Sequence, residues 1–404
     1  MFCLKYFGVI FIDSNNDNDM CQTIYSVILF TTFIIIAIMT PYVTLEFDDW
    51  STALSTSMSQ LICNTVNISS FISRIIVLYN VKYKKYQKYK TTLEGFEIYI
   101  PMNTVALKHI KYFSFTVIFL CLITILPMNI LKLFYLFHNH TNPILMTTYF
   151  FFYYIHNISM VCTELHFVIQ CFVVYTKYRD ISEELIQIND EHNFYNFNVQ
   201  YPFIASQVAT PAKSNDPMQS RVIIYEKDFY CSKDKISPLA NTIELLRIKH
   251  WLIREAVNDL KYLFDFQISL SMICIITSTL FDIYTYGFYS KSYNSSFNKP
   301  VFRSSILFYG WMLQYSFRFC IIVITAHTAT KQAVKIKKYI TEMNNRYLDL
   351  STKEELHLFY NQLTICSPQF TVFNIFTINN GIITSAMAAG STYILILIQI
   401  HSDK

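Results

Sequence analysis

Apolar positions along this chain come in long blocks and do not alternate with polar ones. Seven runs stand out, at about 22–44, 56–79, 113–137, 144–175, 262–288, 303–327 and 372–400. They are too long for strands and carry too few charges for surface helices. Each is near the roughly 20 residues that a helix needs to cross a hydrocarbon core. The pattern predicts an all-α, polytopic membrane protein with seven transmembrane helices. The fourth run is long enough to continue past the membrane as a helix. The longest polar stretch, about 177–260, lies between the fourth and fifth runs. Its flanks, YRDISEELIQIND and IELLRIKHWLIREAVNDLKYL, keep helical periodicity and should prolong spans four and five. Its middle, roughly 193–238, is rich in Asn, Ser, Pro and Lys (AKSNDPMQS, CSKDKISP) and reads as a flexible insert.

Composition agrees with this pattern. Of 404 residues, 53% are hydrophobic and only 15% are charged, where a soluble domain carries about a quarter charged residues. The net charge of +4 is small, so its placement matters more than its size. Lys82, Lys84, Lys85, Lys88 and Lys90 follow the second run, and Lys331, Lys335, Lys337, Lys338 and Arg346 follow the sixth. The loop after the first run has Glu46, Asp48 and Asp49 and no base. The positive-inside rule then places both basic clusters and the N-terminus in the cytosol. Lys291 and Lys299 run against this, but the clusters outnumber them. Two sequons agree with it: Asn139-His140-Thr141 and Asn294-Ser295-Ser296 fall in loops that would face outside, where glycosylation is possible. Two more, at Asn67 and Asn157, fall inside spans. Seven crossings put the C-terminus outside the cell. The opening MFCLKYFGVIFI lacks a cleavage site and runs into SNNDND, so it reads as a cytosolic lead-in and not a signal peptide. No cysteine falls in a segment placed outside and no CxxC pair exists, so neither a disulfide nor a zinc site is expected, and no cofactor.

Seven spans suggest a G-protein-coupled receptor, but that class has its N-terminus outside. No Asp-Arg-Tyr follows span three here, and no Asn-Pro-x-x-Tyr occurs in span seven. A transporter would show an inverted repeat or a pair of broken helices. An intramembrane enzyme would show a nucleophile or metal motif such as GxSxG or HExxH, and neither occurs. The last span is more informative. Thr392-Tyr393, five hydrophobics and Gln399 resemble the insect gustatory receptor signature of Thr-Tyr, five hydrophobics and Gln-Phe, with Ile400 in place of the Phe. The stretch from Phe376-Thr377-Ile378-Asn379-Asn380 to Ser391 also resembles that family. So do the lead-in Leu4-Lys5-Tyr6-Phe7-Gly8 and the Asn258-containing helix that runs into Phe264 and Gln267.

The resemblance implies a tetrameric, ligand-gated, non-selective cation channel in the plasma membrane of a sensory neuron, as a homomer or with related receptor subunits. It implies that the last helix, within 371–404, lines a central pore. It places the pocket for a small-molecule tastant in the outer half of the spans within 1–370. An odorant receptor subunit is the alternative. Sweet-type members carry a Glu directly after the Thr-Tyr, where this chain has Ile394. The expected partners are the tastant, permeant cations, further copies of the chain and the bilayer, with no nucleic acid.

On a helix, Thr392, Ile396, Gln399 and Ile400 share one stripe. Repeated around an axis, Ile396 and Ile400 would form an apolar ring that gates by dewetting. By position alone Gln399 fits a pore amide and a headgroup-level residue equally, and the resemblance favours the pore. No acid lies in the stripe, which argues against strong calcium selectivity. Charges within spans usually pair or line a wet cavity. Depth suggests Lys132 with Asp282 and Arg74 with Glu164, which leaves Arg318 without a mate. Trp311, Gln314, Tyr315 and Arg318 share a face of span six. With His156 of span four and Asp282 of span five they form the candidate ligand contacts, since converging aromatics and a few polar groups suit a small molecule.

Overall fold

The structure is a computed structural model. It describes residues 27–28, 30–40, 43, 53–83, 85–99, 104–139, 142–200, 238–284, 301–345, 348–365, 368–373 and 375–402, with some side chains inside these ranges left out. Nine helices and one hairpin make up the described residues. They are α1 (Phe30–Thr40), α2 (Ala53–Lys82), α3 (Lys85–Tyr99), α4 (Thr104–Asn139), α5 (Pro143–Gln200), α6 (Pro238–Tyr284), α7 (Val301–Asn344), α8 (Leu350–Ile365), the strands β1 (Thr371–Val372) and β2 (Phe376–Thr377), and α9 (Asn380–Ser402). Four of them, within α4, α5, α6 and α7, are long and apolar enough to cross a membrane. α1 and the apolar part of α9 are shorter apolar helices.

α5 is the hub, packed against α2, α4, α6 and α7. Every residue from Ser159 to Cys171 is buried, so this segment shows neighbours on all sides. A helix enclosed all round has no solvent face on which to place polar residues. Yet Ser159, Thr163, Glu164, His166 and Gln170 lie in it, and each must find a partner inside. Gln170 takes a bond from the Tyr89 hydroxyl at 2.8 Å and lies 3.1 Å from His166. α4 is the opposite case: only 22% of its most apolar window is buried, against 78% for α5. Leu120, Ile123, Leu126 and Ile130 on α4 point outward, as expected for a peripheral helix whose solvent is lipid.

Past the apolar runs, α5 and α6 continue as helices and meet α3, the end of α7, and α8. Ile181, Leu185, Ile243, Leu246, Leu356 and Phe359 form an apolar core here, and ion pairs tie its edges. Lys177 bonds Glu97 at 3.2 Å, Lys249 bonds Glu184 at 2.9 Å, Arg247 bonds Glu355 at 3.1 Å and Lys88 bonds Asp259 at 2.8 Å. The prolonged flanks expected of spans four and five are therefore present. The helical part of α5 runs to Gln200, eight residues into the stretch read as an insert from 193, and residues 201–237 lie outside the described residues. The last run also starts differently. The strands Thr371–Val372 and Phe376–Thr377 pair as the hairpin, and the helix begins at Asn380 and not near 372. Asn294 lies outside the described residues, as does the side chain of Asn139, which ends α4.

In the polar end, His250 is fully buried between Tyr178 and Phe359, with Nδ1 3.2 Å from the Gln362 amide and Nε2 without a hydrogen bond. Burial, aided by the Arg254 cation, pushes its pKa down to about 3. In an unfolded chain the ring titrates near about 6.5. Its contribution to stability is thus complete above that value and is lost as pH falls toward the folded one. Thermal melting of the purified full chain should drop on acidification from about pH 7 to about pH 5. The drop should be shallower in His250→Gln. Identical slopes for the two proteins would remove His250 as the cause.

Candidate ligand site and last helix

The deepest polar feature joins α5, α6 and α7. Arg318 on α7 donates from Nε to Glu164 Oε2 at 2.8 Å and from a terminal nitrogen to Glu164 Oε1 at 2.5 Å. Its other terminal nitrogen lies 3.5 Å from Asn157 Oδ1. Ser271 on α6 donates to the same carboxylate. The two charged side chains are 4% and 3% exposed. A guanidinium fork on a carboxylate is the strongest common geometry for such a pair. Arg318 therefore has a mate, and Glu164 pairs with it and not with Arg74. Depth along the chain could not show this, because direction around α5 decides which neighbour Glu164 meets. Ser271, which completes the carboxylate's shell, gave no signal in the sequence, since serines are ordinary in such helices.

One turn further along α7, Gln314 is 2% exposed and its Oε1 accepts no hydrogen bond. Tyr315 packs against the core beside Ser278 and Asp282 of α6. Asp282 Oδ2 is buried without a donor and lies within electrostatic reach of Lys132 on α4. The Lys132 ammonium lies 5.6 Å from the ring centroid of Trp311. α4 and α7 touch closely here, with Met128 against Gly310. Asn129 on α4 is buried with an unsatisfied Nδ2, a polar residue the sequence reading passed over. Trp311, Tyr315, Asp282 and the added Lys132 are thus brought together above the Arg318–Glu164 pair.

His156 is placed elsewhere. It is 1% exposed and turns toward α1 and α2, edge-on to Phe33 at 5.8 Å and within electrostatic reach of Arg74. Neither ring nitrogen has a hydrogen-bond partner among the described residues. Beside it a separate polar chain ties three helices: Asn67 of α2 donates to Thr40 of α1 at 3.1 Å, and Thr40 meets the Tyr149 hydroxyl of α5 at 3.0 Å. Buried polar groups are normally paired. Atoms of His156, Asp282, Gln314 and Asn129 are buried without a hydrogen-bond partner among the described residues.

The last helix is held at its start. β1 and β2 pair antiparallel, with Thr371 opposite Thr377 and Val372 opposite Phe376. Phe373 in the turn has φ of 51°, a left-handed conformation that costs a bulky residue energy unless its surroundings hold it. α6 supplies the hold. The Phe373 amide donates to the Ser269 hydroxyl at 2.8 Å, the Thr371 hydroxyl bonds Asp265 at 3.2 Å, and Phe266 packs edge-on to Phe373 at 5.3 Å. Beyond the hairpin, α9 lays one stripe, Ile382, Ile383 and Ala386, on the core. Gly390, Tyr393 and Ile394 continue that side, and most of the remaining described side chains are exposed. Thr392, Ile396 and Gln399 lie on the exposed flank, with Ile396 at 48%. The Ile400 side chain lies outside the described residues.

The family described as 7tm Chemosensory receptor matches residues 4–404. The fold is similar to the structure of the insect olfactory receptor OR5 from Machilis hrabei, with a TM-score of 0.58 and 10% identity over 99% of this chain and 98% of that one. It is likewise similar to that receptor in complex with eugenol, with a TM-score of 0.59 at the same identity and coverage. No curated protein matches the chain. At this identity the structural likeness speaks for the fold alone, and membership is carried by the match that runs from residue 4 to the last residue: the chain belongs to the 7tm chemosensory receptor family.

Proposed function

We propose that the chain is a gustatory receptor subunit, a ligand-gated, non-selective cation channel of a sensory-neuron plasma membrane. In this reading a small tastant, bound in the outer half of each subunit, opens it. The observation that carries the reading is α9. It is strongly apolar, yet the chain's own core covers only one stripe of it. An apolar helix left open on most of its surface suits packing against further copies around an axis. Four such helices would enclose a path lined by Thr392, Ile396, Gln399 and Ile400. The lysine clusters favour an orientation with the hairpin end of α9 toward the cytosol and the C-terminus outside. The sequons at Asn139 and Asn294 then stand on the outer side, open to glycosylation. No enzymatic role is proposed: the family is one of chemosensory receptors.

The tastant site is the group formed by Trp311, Gln314, Tyr315 and Asp282, with Arg318 as its floor and His156 on the α1–α2 side. Its unsatisfied buried atoms favour a ligand that forms hydrogen bonds. An odorant receptor subunit is the second reading, favoured by the fold shared with the olfactory receptor OR5.

Three experiments test this function. An epitope tag at the C-terminus should be labelled on intact cells; labelling only after permeabilisation would sink the orientation. In whole-cell recordings, Ile396→Ser should hydrate an apolar constriction and give ligand-independent current. Leu395→Ser, elsewhere on the helix, should leak far less, and the reverse ranking would place the pore on another face. Once an agonist is found among sugars, alkaloids and volatiles, Gln314→Ala should raise the half-maximal concentration about tenfold, the loss of one buried hydrogen bond. Single-channel conductance should stay unchanged. If neither Gln314→Ala nor Asp282→Asn moves the dose–response, the ligand binds elsewhere.

A further inference from the structure

Where α2 ends and α3 begins, the surface grades from apolar to aromatic to basic along a single stripe. Ile75, Tyr79 and Tyr83 follow one another at four-residue spacing on α2 and its end, and they are 44%, 49% and 56% exposed. Tyr79 and Tyr83 pack with ring centroids 4.5 Å apart, and the Lys85 ammonium sits 4.7 Å from the Tyr79 ring centre. α6 runs antiparallel beside this stripe and grades from apolar to aromatic to an acid that Lys88 neutralises. Phe266 is 44% exposed, Tyr262 is 73% exposed, and Asp259 follows one turn beyond, where Lys88 bonds it. The two helices are tied at this level by Asn80, which donates to the Leu263 carbonyl.

The charge balance of the patch is positive. Its described carboxylates are each engaged by a base: Asp259 by Lys88, Glu94 by Lys90, Glu97 by Lys177 and Glu255 by Arg254. Lys85 has no carboxylate partner among the described residues, and Lys88 remains 70% exposed despite its bond. Lys82 and Lys84 add charge in the same segment.

We infer that this face binds an anionic phospholipid of the cytosolic leaflet. The inference shares the proposed orientation, which makes the lysine-rich end cytosolic. Each part of the lipid meets its complement in depth order. Acyl chains meet Ile75 and Phe266, the glycerol and ester level meets the tyrosines, whose amphipathic rings favour that zone, and the phosphate meets Lys85 and Lys88. A free phosphate compound would use the lysines alone and leave the exposed apolar and aromatic part of the stripe uncovered.

The test uses the full chain purified in detergent and mixed with equal amounts of phosphatidylserine and phosphatidylcholine, with retained lipid read by native mass spectrometry. This readout needs neither an agonist nor a current, so it stands or falls apart from the channel reading. Wild type should retain phosphatidylserine in preference to phosphatidylcholine. The preference should fall about fivefold for each lysine removed, the size expected for a base at an anionic surface. Lys85→Gln breaks no described ion pair and so leaves the fold intact. Lys85→Gln with Lys88→Gln should fall further, and Lys85→Arg should keep the preference. Lys338→Gln, an exposed base in the other cluster, should behave as wild type. Equal retention of both lipids by wild type would overturn the proposal. So would a loss in Lys338→Gln as large as in Lys85→Gln, or displacement of the lipid by glycerophosphate at matched concentration.

Discussion

The Glu164–Arg318 pair is the constraint on which the rest of the bundle depends. Both side chains are almost fully buried. Burying two ions is costly, and their attraction offsets the cost only when geometry is good and the remaining lone pairs and protons are bonded. Both conditions are met, since the fork is bidentate and Ser271 and Asn157 complete it. Removing one partner of such a pair costs about 3–5 kcal/mol because it strands the other charge. That penalty fixes α5, α6 and α7 in rotation as well as distance. A one-residue slip of any of them would turn a donor or acceptor away. The positions of Gln314, Tyr315 and Asp282, one turn or more above the pair, follow from this registration.

Two solvents explain why the rest of the chain coheres in two ways. Around the apolar runs, exposed side chains such as those of α4 face lipid, and burial between helices gains little there, so small contacts and shared hydrogen bonds do the holding. Met128 against Gly310 and the Asn67–Thr40–Tyr149 chain are of this kind. Past the runs the helices meet water, and amphipathic packing with ion pairs takes over. Lys177 shows the mixture: its ammonium is buried against Phe96 yet reaches Glu97 at the surface. α5 passes through both regions without a break, which is why it is the hub.

Much of this was legible in the sequence because hydrophobic blocks and lysine placement are local signals. The long fourth run and its helical flank could be read from composition and period, while the start of the insert was set too early, since the helix runs on to Gln200. Direction around a helix was not so legible. That Trp311 and Tyr315 lie on one side of α7 could be counted from their spacing, whereas the approach of Asp282 on α6 to Tyr315 depends on how the two helices pack. His156 was grouped with them as a polar position in the outer half of span four, and it turns toward α1 and α2. The mate of Arg318 was hidden for the same reason. The hairpin before α9 was hidden by its composition: Thr371, Val372, Phe376 and Thr377 are as apolar as the helix they precede, so hydropathy could not mark the boundary.

That hairpin gives the last helix its mechanical link to the buried pair. α6 carries Ser271, which bonds Glu164, and two residues earlier Ser269, which holds the strained turn at Phe373. These two positions lie 200° apart on the helix, so α6 faces the ion pair with one side and the hairpin with the other. A rotation or shift of α6 cannot leave both bonds intact. Asp282, further along the same helix, belongs to the proposed ligand group. In the channel reading, a ligand that pulls on Asp282 therefore acts on an element already bonded to the start of α9. The left-handed turn at Phe373 is held by Ser269 and Phe266, with Asp265 fixing the neighbouring Thr371. A glycine there would carry the same turn without strain.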